Sequence, residues 1–236
     1  MKALAALLLA GKMGKLLTSG GTMLLSVFAY AFVFGWWYAV GFVGLLLVHE
    51  MGHYLAAKKR GLNVGLPTFI PFVGAWIQLK EQPMDAETEA FVGIAGPMLG
   101  SAAAFVCYML ARDSGSQLLM ALSYAGFVLN LFNLIPLSPL DGGRIVSVIS
   151  PRIWLLGVPI LVALFFWIPS PLLVLIAILA LPHLWTVLAG GAALDSRYYQ
   201  TPRAVRVEYA AQYLALAGFL AIMAFEAHEA VGRAAP

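Results

Sequence analysis

Long stretches of this chain carry no Asp, Glu, Lys or Arg, among them residues 16–48, 90–111, 114–140, 153–194 and 209–225. A helix needs about 20 apolar residues to cross the hydrocarbon core of a bilayer, so these runs are of membrane-spanning size. The two longest hold two passes each. Composition agrees, with 62% hydrophobic and 11% charged residues, against the roughly 25% charged of a soluble domain. A soluble core is excluded. Gly35-Trp36-Trp37-Tyr38 marks an interfacial aromatic break and Pro169-Ser170-Pro171 a turn. The predicted spans are 21–36, 38–57, 87–111, 117–135, 153–168, 171–190 and 207–226. The expected fold is therefore an all-α polytopic membrane protein of about six to seven transmembrane helices, a single domain over 1–236.

The basic residues orient it. With a cytoplasmic N-terminus, twelve of the fourteen Lys and Arg residues fall inside and only Arg112 and Arg233 outside. The net charge of +3 then reflects anchoring to an anionic leaflet and gives no reason to expect nucleic acid. Residues 1–20 read as an interfacial amphipathic helix on the cytoplasmic face: Lys12 and Lys15 recur after the first apolar run, and no signal cleavage site is evident. The one cysteine, Cys107, sits mid-span among apolar neighbours and reads as packing.

Against this background, Leu47-Val48-His49-Glu50-Met51-Gly52-His53-Tyr54 stands out. Histidines four apart project from one helix face, so His49 and His53 can bind one zinc ion. Glu50 is offset around the helix and can reach a water at the metal's open position. Three such groups within five residues are costly in lipid unless they face a cavity and a partner. Lys58 to Arg60 mark the cytoplasmic surface, and at 1.5 Å per residue the histidines lie roughly 8–14 Å inside it.

Two histidines want a third protein ligand, and Asn133-Leu-Ile-Pro-Leu-Ser-Pro-Leu-Asp141-Gly-Gly-Arg144 offers one. Pro136 and Pro139 stop the preceding helix and predict an extended segment, and Gly142 and Gly143 permit close backbone approach. Irregular backbone at membrane depth must line a cavity or be buried in protein. Asp141 is then a metal-ligand candidate, the competing role being a helix cap or an ion pair with Arg144.

The two motifs together, H-E-x-x-H and N-x-x-P-x-x-P-L-D-G, resemble the site-2 protease family of intramembrane zinc metalloproteases. Gly96-Pro97 and the stretch from Pro67 to Gln78 extend the likeness over roughly residues 38–150, the expected catalytic core, with 151–236 adding further transmembrane helices. The resemblance implies His49, His53 and Asp141 as ligands of one catalytic zinc and Glu50 as general base. It also implies that Asn133 places the substrate carbonyl or oxyanion. Many relatives carry an asparagine three residues after the Gly-Pro proline, where this chain has Gly100 and Ser101.

Three protein ligands leave zinc one open position, as in catalytic sites. The expected activity is thus hydrolysis of peptide bonds in or near transmembrane segments of membrane proteins in the bilayer, at a site facing the cytoplasmic side of a prokaryotic membrane. A metal or proton-coupled transporter would need neither Glu50 nor, usually, an unrepeated sequence. A catalytically silent relative that binds membrane proteins would not need the motif intact. Residues 64–79 are apolar, yet Pro67, Pro71 and Gly74 suit a membrane-associated β-hairpin or re-entrant loop better than a helix. An open strand edge there can add an unwound substrate, with Ile77 and Gln78 as contact residues. Asp85 is the expected N-cap of the following helix, and Gly93, Gly96 and Gly100 suit close helix packing. His183 reads as a helix-bonding residue.

Overall fold

The computed structural model describes residues 2–77, 83–190 and 197–234, with side chains between residues 18 and 233. Helix α1 (Lys2–Phe34) is followed at once by α2 (Trp36–Lys59), with Gly35 at the break in a positive-φ conformation (φ 84°). A side chain would be strained at that φ, which is why the apolar run 16–48 divides here. Strands β1 (Thr68–Ile70) and β2 (Gly74–Trp76) form the expected hairpin, antiparallel with Thr68 opposite Trp76 and Ile70 opposite Gly74. Pro71 and then Phe72, at φ 62°, make the turn, and Val73 N donates to Ile70 O. Proline followed by a positive φ is the pattern of a type II turn.

Helix α3 (Ala86–Ser114) starts where predicted: the Asp85 carboxylate accepts from Thr88 N at 2.7 Å, and Glu87 and Glu89 lie in its first turn. Gly115, at φ 69°, closes it with a left-handed C-cap. Helix α4 (Gln117–Asn133) ends before Pro136, and α5 (Asp141–Ser147) comes next. A 3₁₀ turn over Pro151–Leu156 leads into α6 (Gly157–Trp167), then α7 (Pro171–Ala189), a second 3₁₀ turn at Arg197–Tyr199 and α8 (Arg203–Ala234).

Helices α2, α3 and α4 pack side by side, α1 lies against α2 and β1, and α8 covers α4. One buried cluster joins Ala104 and Tyr108 of α3 to Phe127 of α4 and Leu220 of α8. A second joins Leu137 and Trp154 to Leu173 and Ile176 of α7. The rims of the helices carry exposed Phe32, Trp37, Phe166 and Trp167, which suits lipid contact and not water. This is an integral membrane architecture, almost wholly helical.

Three expectations need adjustment. Among the described residues four helices are long and apolar enough to span a bilayer: Trp36–Lys59, Ala86–Ser114, Pro171–Ala189 and Arg203–Arg233. The apolar stretches Thr18–Phe34, Gln117–Asn133 and Pro151–Trp167 are helical but shorter. Helix α1 runs from Lys2 to Phe34, so the residues read as an interfacial helix are continuous with the apolar stretch that follows. Finally, residues 134–140 are coiled instead of extended. Leu137 N donates to Ile135 O at 2.7 Å and Leu140 N to Leu137 O at 2.9 Å, with a cis peptide between Ser138 and Pro139. A segment folded on itself satisfies its own backbone groups, which an extended one in lipid does not.

Candidate active site

His49 and His53 occupy consecutive turns of α2, and both are buried. They reach the centre of the bundle because α2 and α3 touch backbone to backbone. A Cβ on Gly52 would overlap the Ala95 carbonyl, and one on Gly96 would overlap the His53 ring. That proximity lets His53 Nδ1 donate to the Val92 carbonyl at 2.8 Å. His49 Nδ1 lies 2.8 Å from Asn130 Oδ1 on α4. In their neutral form, the one that binds a metal, both rings therefore carry their hydrogen on Nδ1 and turn Nε2 lone pairs to the interior.

Asp141 arrives from the other side, at the first residue of α5. Its Oδ2 lies 3.1 Å from His49 Nε2 and its Oδ1 3.2 Å from His53 Nε2. Here the glycines act as expected: a Cβ on Gly142 or Gly143 would strike the backbone of Leu134–Ser138, so only glycine lets the loop fold this tightly. Trp154 Nε1 also donates to Gly143 O at 2.8 Å. Arg144 sits 3.8 Å from Asp141 Oδ1 and 3.8 Å from Glu89 Oε1. Glu89 in turn accepts from the Tyr198 hydroxyl at 2.6 Å. Burial and the Glu89 charge push the Tyr198 phenol well above its usual range, so it stays a donor.

The two Nε2 atoms are 3.2 Å apart. In the neutral Nδ1–H form neither carries a hydrogen, so the two lone pairs repel unless something positive lies between them. Ligand atoms about 2.0–2.1 Å from a tetrahedral zinc stand about 3.3 Å from one another. The Nε2–Nε2 spacing of 3.2 Å is close to that edge length, and each Nε2 has one Asp141 oxygen, Oδ2 for His49 and Oδ1 for His53, at a similar distance. His49, His53 and Asp141 thus fit one zinc ion, and their ligating atoms all lie within 4.8 Å of each other.

These three residues open onto a cavity of about 330 Å³ shared with Glu50, Asn133 and Ile77. Glu50 is 5% exposed and makes no hydrogen bond to the described residues. Asn133 stands at the end of α4. Across the cavity, Leu172, Leu175, Ile176 and Leu179 of α7 face Val73–Ile77 of the hairpin. The predicted residues His49, Glu50, His53, Asn133, Asp141 and Ile77 therefore meet in one place, whereas Gln78 lies outside the described residues. His183 lies apart from the cavity, its ring edge-on to Trp154 at 5.4 Å. Asn130, the Val92 carbonyl and the α7 leucines were not anticipated. Asn130 alone left a trace, as an amide three residues before Asn133 in a largely apolar helix.

The model of peptidase family M50 matches residues 37–115, which hold the histidine motif and all of α3. Over these residues the chain is similar to that family of metallopeptidases. It is 34% identical over 116 residues to a zinc metalloprotease of Methanocaldococcus jannaschii, an alignment covering 47% of this chain and 33% of that protein. It is 29% identical over 156 residues to a protein of Arabidopsis thaliana named as a probable chloroplastic zinc metalloprotease, covering 46% and 28% of the two. The chain thus spans about a third of the length of the curated relatives it matches. The solved site-2 protease from M. jannaschii aligns with a TM-score of 0.46 at 23% identity, over 77% of this chain and 88% of that one.

Proposed function

We propose that this chain belongs to the site-2 protease family and is an intramembrane zinc endopeptidase, cutting peptide bonds in or near transmembrane segments of other proteins. The observation that carries the reading is the pair of bare imidazole nitrogens 3.2 Å apart, closed by Asp141 and walled by Glu50. His49, His53 and Asp141 hold the metal. When bound there, zinc supplies Lewis acidity toward a carbonyl oxygen and makes water a stronger acid. Glu50 takes the proton from the attacking water and passes it to the leaving amine, so that C–N cleavage ends with a carboxylate and a neutral or protonated amine. The Asn133 amide, on the same cavity wall, donates to the oxygen on which charge develops.

The hairpin presents the substrate. Phe69 N donates to Thr22 Oγ1 of α1, away from β2. Phe69 and Ala75 are therefore a non-hydrogen-bonded pair, and the N–H and C=O of Ala75, and by alternation those of Ile77, point away from β1. These face the cavity, where an unwound segment can add as a third strand. The distribution of basic residues, including Lys58, Lys59 and Arg60 at the end of α2, supports a cavity on the cytoplasmic side with the N-terminus inside.

Reconstitution in liposomes with a single-span substrate protein tests the reading. The expected result is zinc-dependent appearance of two fragments, with no zinc accumulating inside the vesicles. Zinc transport without fragments would replace the protease by a transporter.

A further inference from the structure

We infer that Asn130 is a positioning residue of the metal site, whose side-chain amide fixes His49 in the tautomer and ring orientation that bind the ion. The inference rests on the zinc hydrolase reading above and deepens it. Asn130 lies in the last turn of α4 at 1% exposure, where an amide with an unpaired end is costly. Its Nδ2 is 2.7 Å from the Gly126 carbonyl. A carbonyl only accepts, so the end facing it must be the NH₂ group, and the amide cannot be turned over. The oxygen is left facing His49 Nδ1 at 2.8 Å. That oxygen only accepts, so His49 must carry hydrogen on Nδ1 and turn a lone pair on Nε2 toward Asp141 and His53.

The amide has nowhere else to go. A Cβ on Gly100 of α3 would lie 2.5 Å from Asn130 Oδ1 and 2.9 Å from Nδ2, so the missing side chain at 100 is the space the amide fills. A Cβ on Gly126 would lie 2.8 Å from Ala104 Cβ, which holds α4 against α3 beside it. Asn130 spends one bond on its own helix and the other on His49 of α2, a metal-ligand candidate. Asn133, one turn later, lines the cavity. Two asparagines on one helix end thus divide the work: Asn130 holds the ligand and Asn133 meets substrate.

The test uses the full chain purified in detergent, comparing Asn130→Leu, Asn130→Asp and Gly100→Ala with the parent. Zinc retention against a chelator is measured for each, together with the visible spectrum of the cobalt-substituted protein. Loss of a ligand's outer partner lowers metal affinity by about 10- to 100-fold. Asn130→Leu is expected to show that loss and a shifted cobalt spectrum, while Asn130→Asp, which keeps an acceptor for Nδ1–H, retains most of the affinity. Gly100→Ala, which displaces the amide without altering it, is expected to behave like Asn130→Leu and carries the test if the leucine variant does not fold. Zinc affinity and cobalt spectrum unchanged in Asn130→Leu and Gly100→Ala would overturn the inference, as would equal losses in the leucine and aspartate variants. A parent protein that binds no zinc would instead overturn the reading on which it rests.

Discussion

At Gly96 the absence of a side chain is a requirement of the metal site, since a Cβ there would fall on the His53 ring nearest Nε2. Relieving that overlap would separate α3 from α2 at the crossing where Gly52 meets Ala95, and with it the Val92 carbonyl that holds the His53 ring. Gly96→Ala is therefore expected to lower zinc per chain several-fold in metal analysis. Gly44→Ala in α2, where a Cβ meets nothing within 4 Å, should leave it unchanged. Equal zinc in the two variants would contradict this account of the α2–α3 crossing. His49 and His53 were legible in the sequence because helix periodicity alone puts both on one face. Asp141 was legible through ligand chemistry and its broken helix. Asn130 was not, because its partner, 81 residues away, comes into reach only once α4 is packed.

At the scale of elements, proline and glycine punctuation located the hairpin, the end of α4 and the Asp85 cap, because these depend on local backbone restrictions. The break expected at residue 20 did not appear: Gly20 and Gly21 lower helix propensity without forbidding helix, and α1 runs through them. The hairpin gives a prediction of its own. Proline in place of Ile77 removes an amide from the open edge but leaves β1–β2 pairing intact. Zinc content should stay at the parental level while cleavage of a transmembrane substrate slows, or moves to a neighbouring bond as pairing slips. An unchanged rate and cut site, read by mass spectrometry of the fragments, would reduce the hairpin to a seal.

Across the whole molecule, α8 supports the site from outside it. The Tyr213 hydroxyl donates to Leu134 O at 2.6 Å, tying α8 to the start of the loop that delivers Asp141. Tyr213→Phe leaves that carbonyl short of a donor and is expected to cost about 1 kcal/mol, seen as a lower thermal midpoint in detergent. No change in midpoint would mean the loop holds without α8. This docking was illegible in the sequence. A membrane helix is apolar toward lipid and toward protein alike, so hydrophobic pattern does not say which face packs. The central claim is that His49, His53 and Asp141 hold zinc while Glu50 moves the proton, and one paired measurement tests it: zinc per chain and substrate cleavage in the parent, Glu50→Gln and His49→Ala. The account predicts near-stoichiometric zinc without cleavage for Glu50→Gln, and neither zinc nor cleavage for His49→Ala. Cleavage by Glu50→Gln, or parental zinc content in His49→Ala, would contradict it.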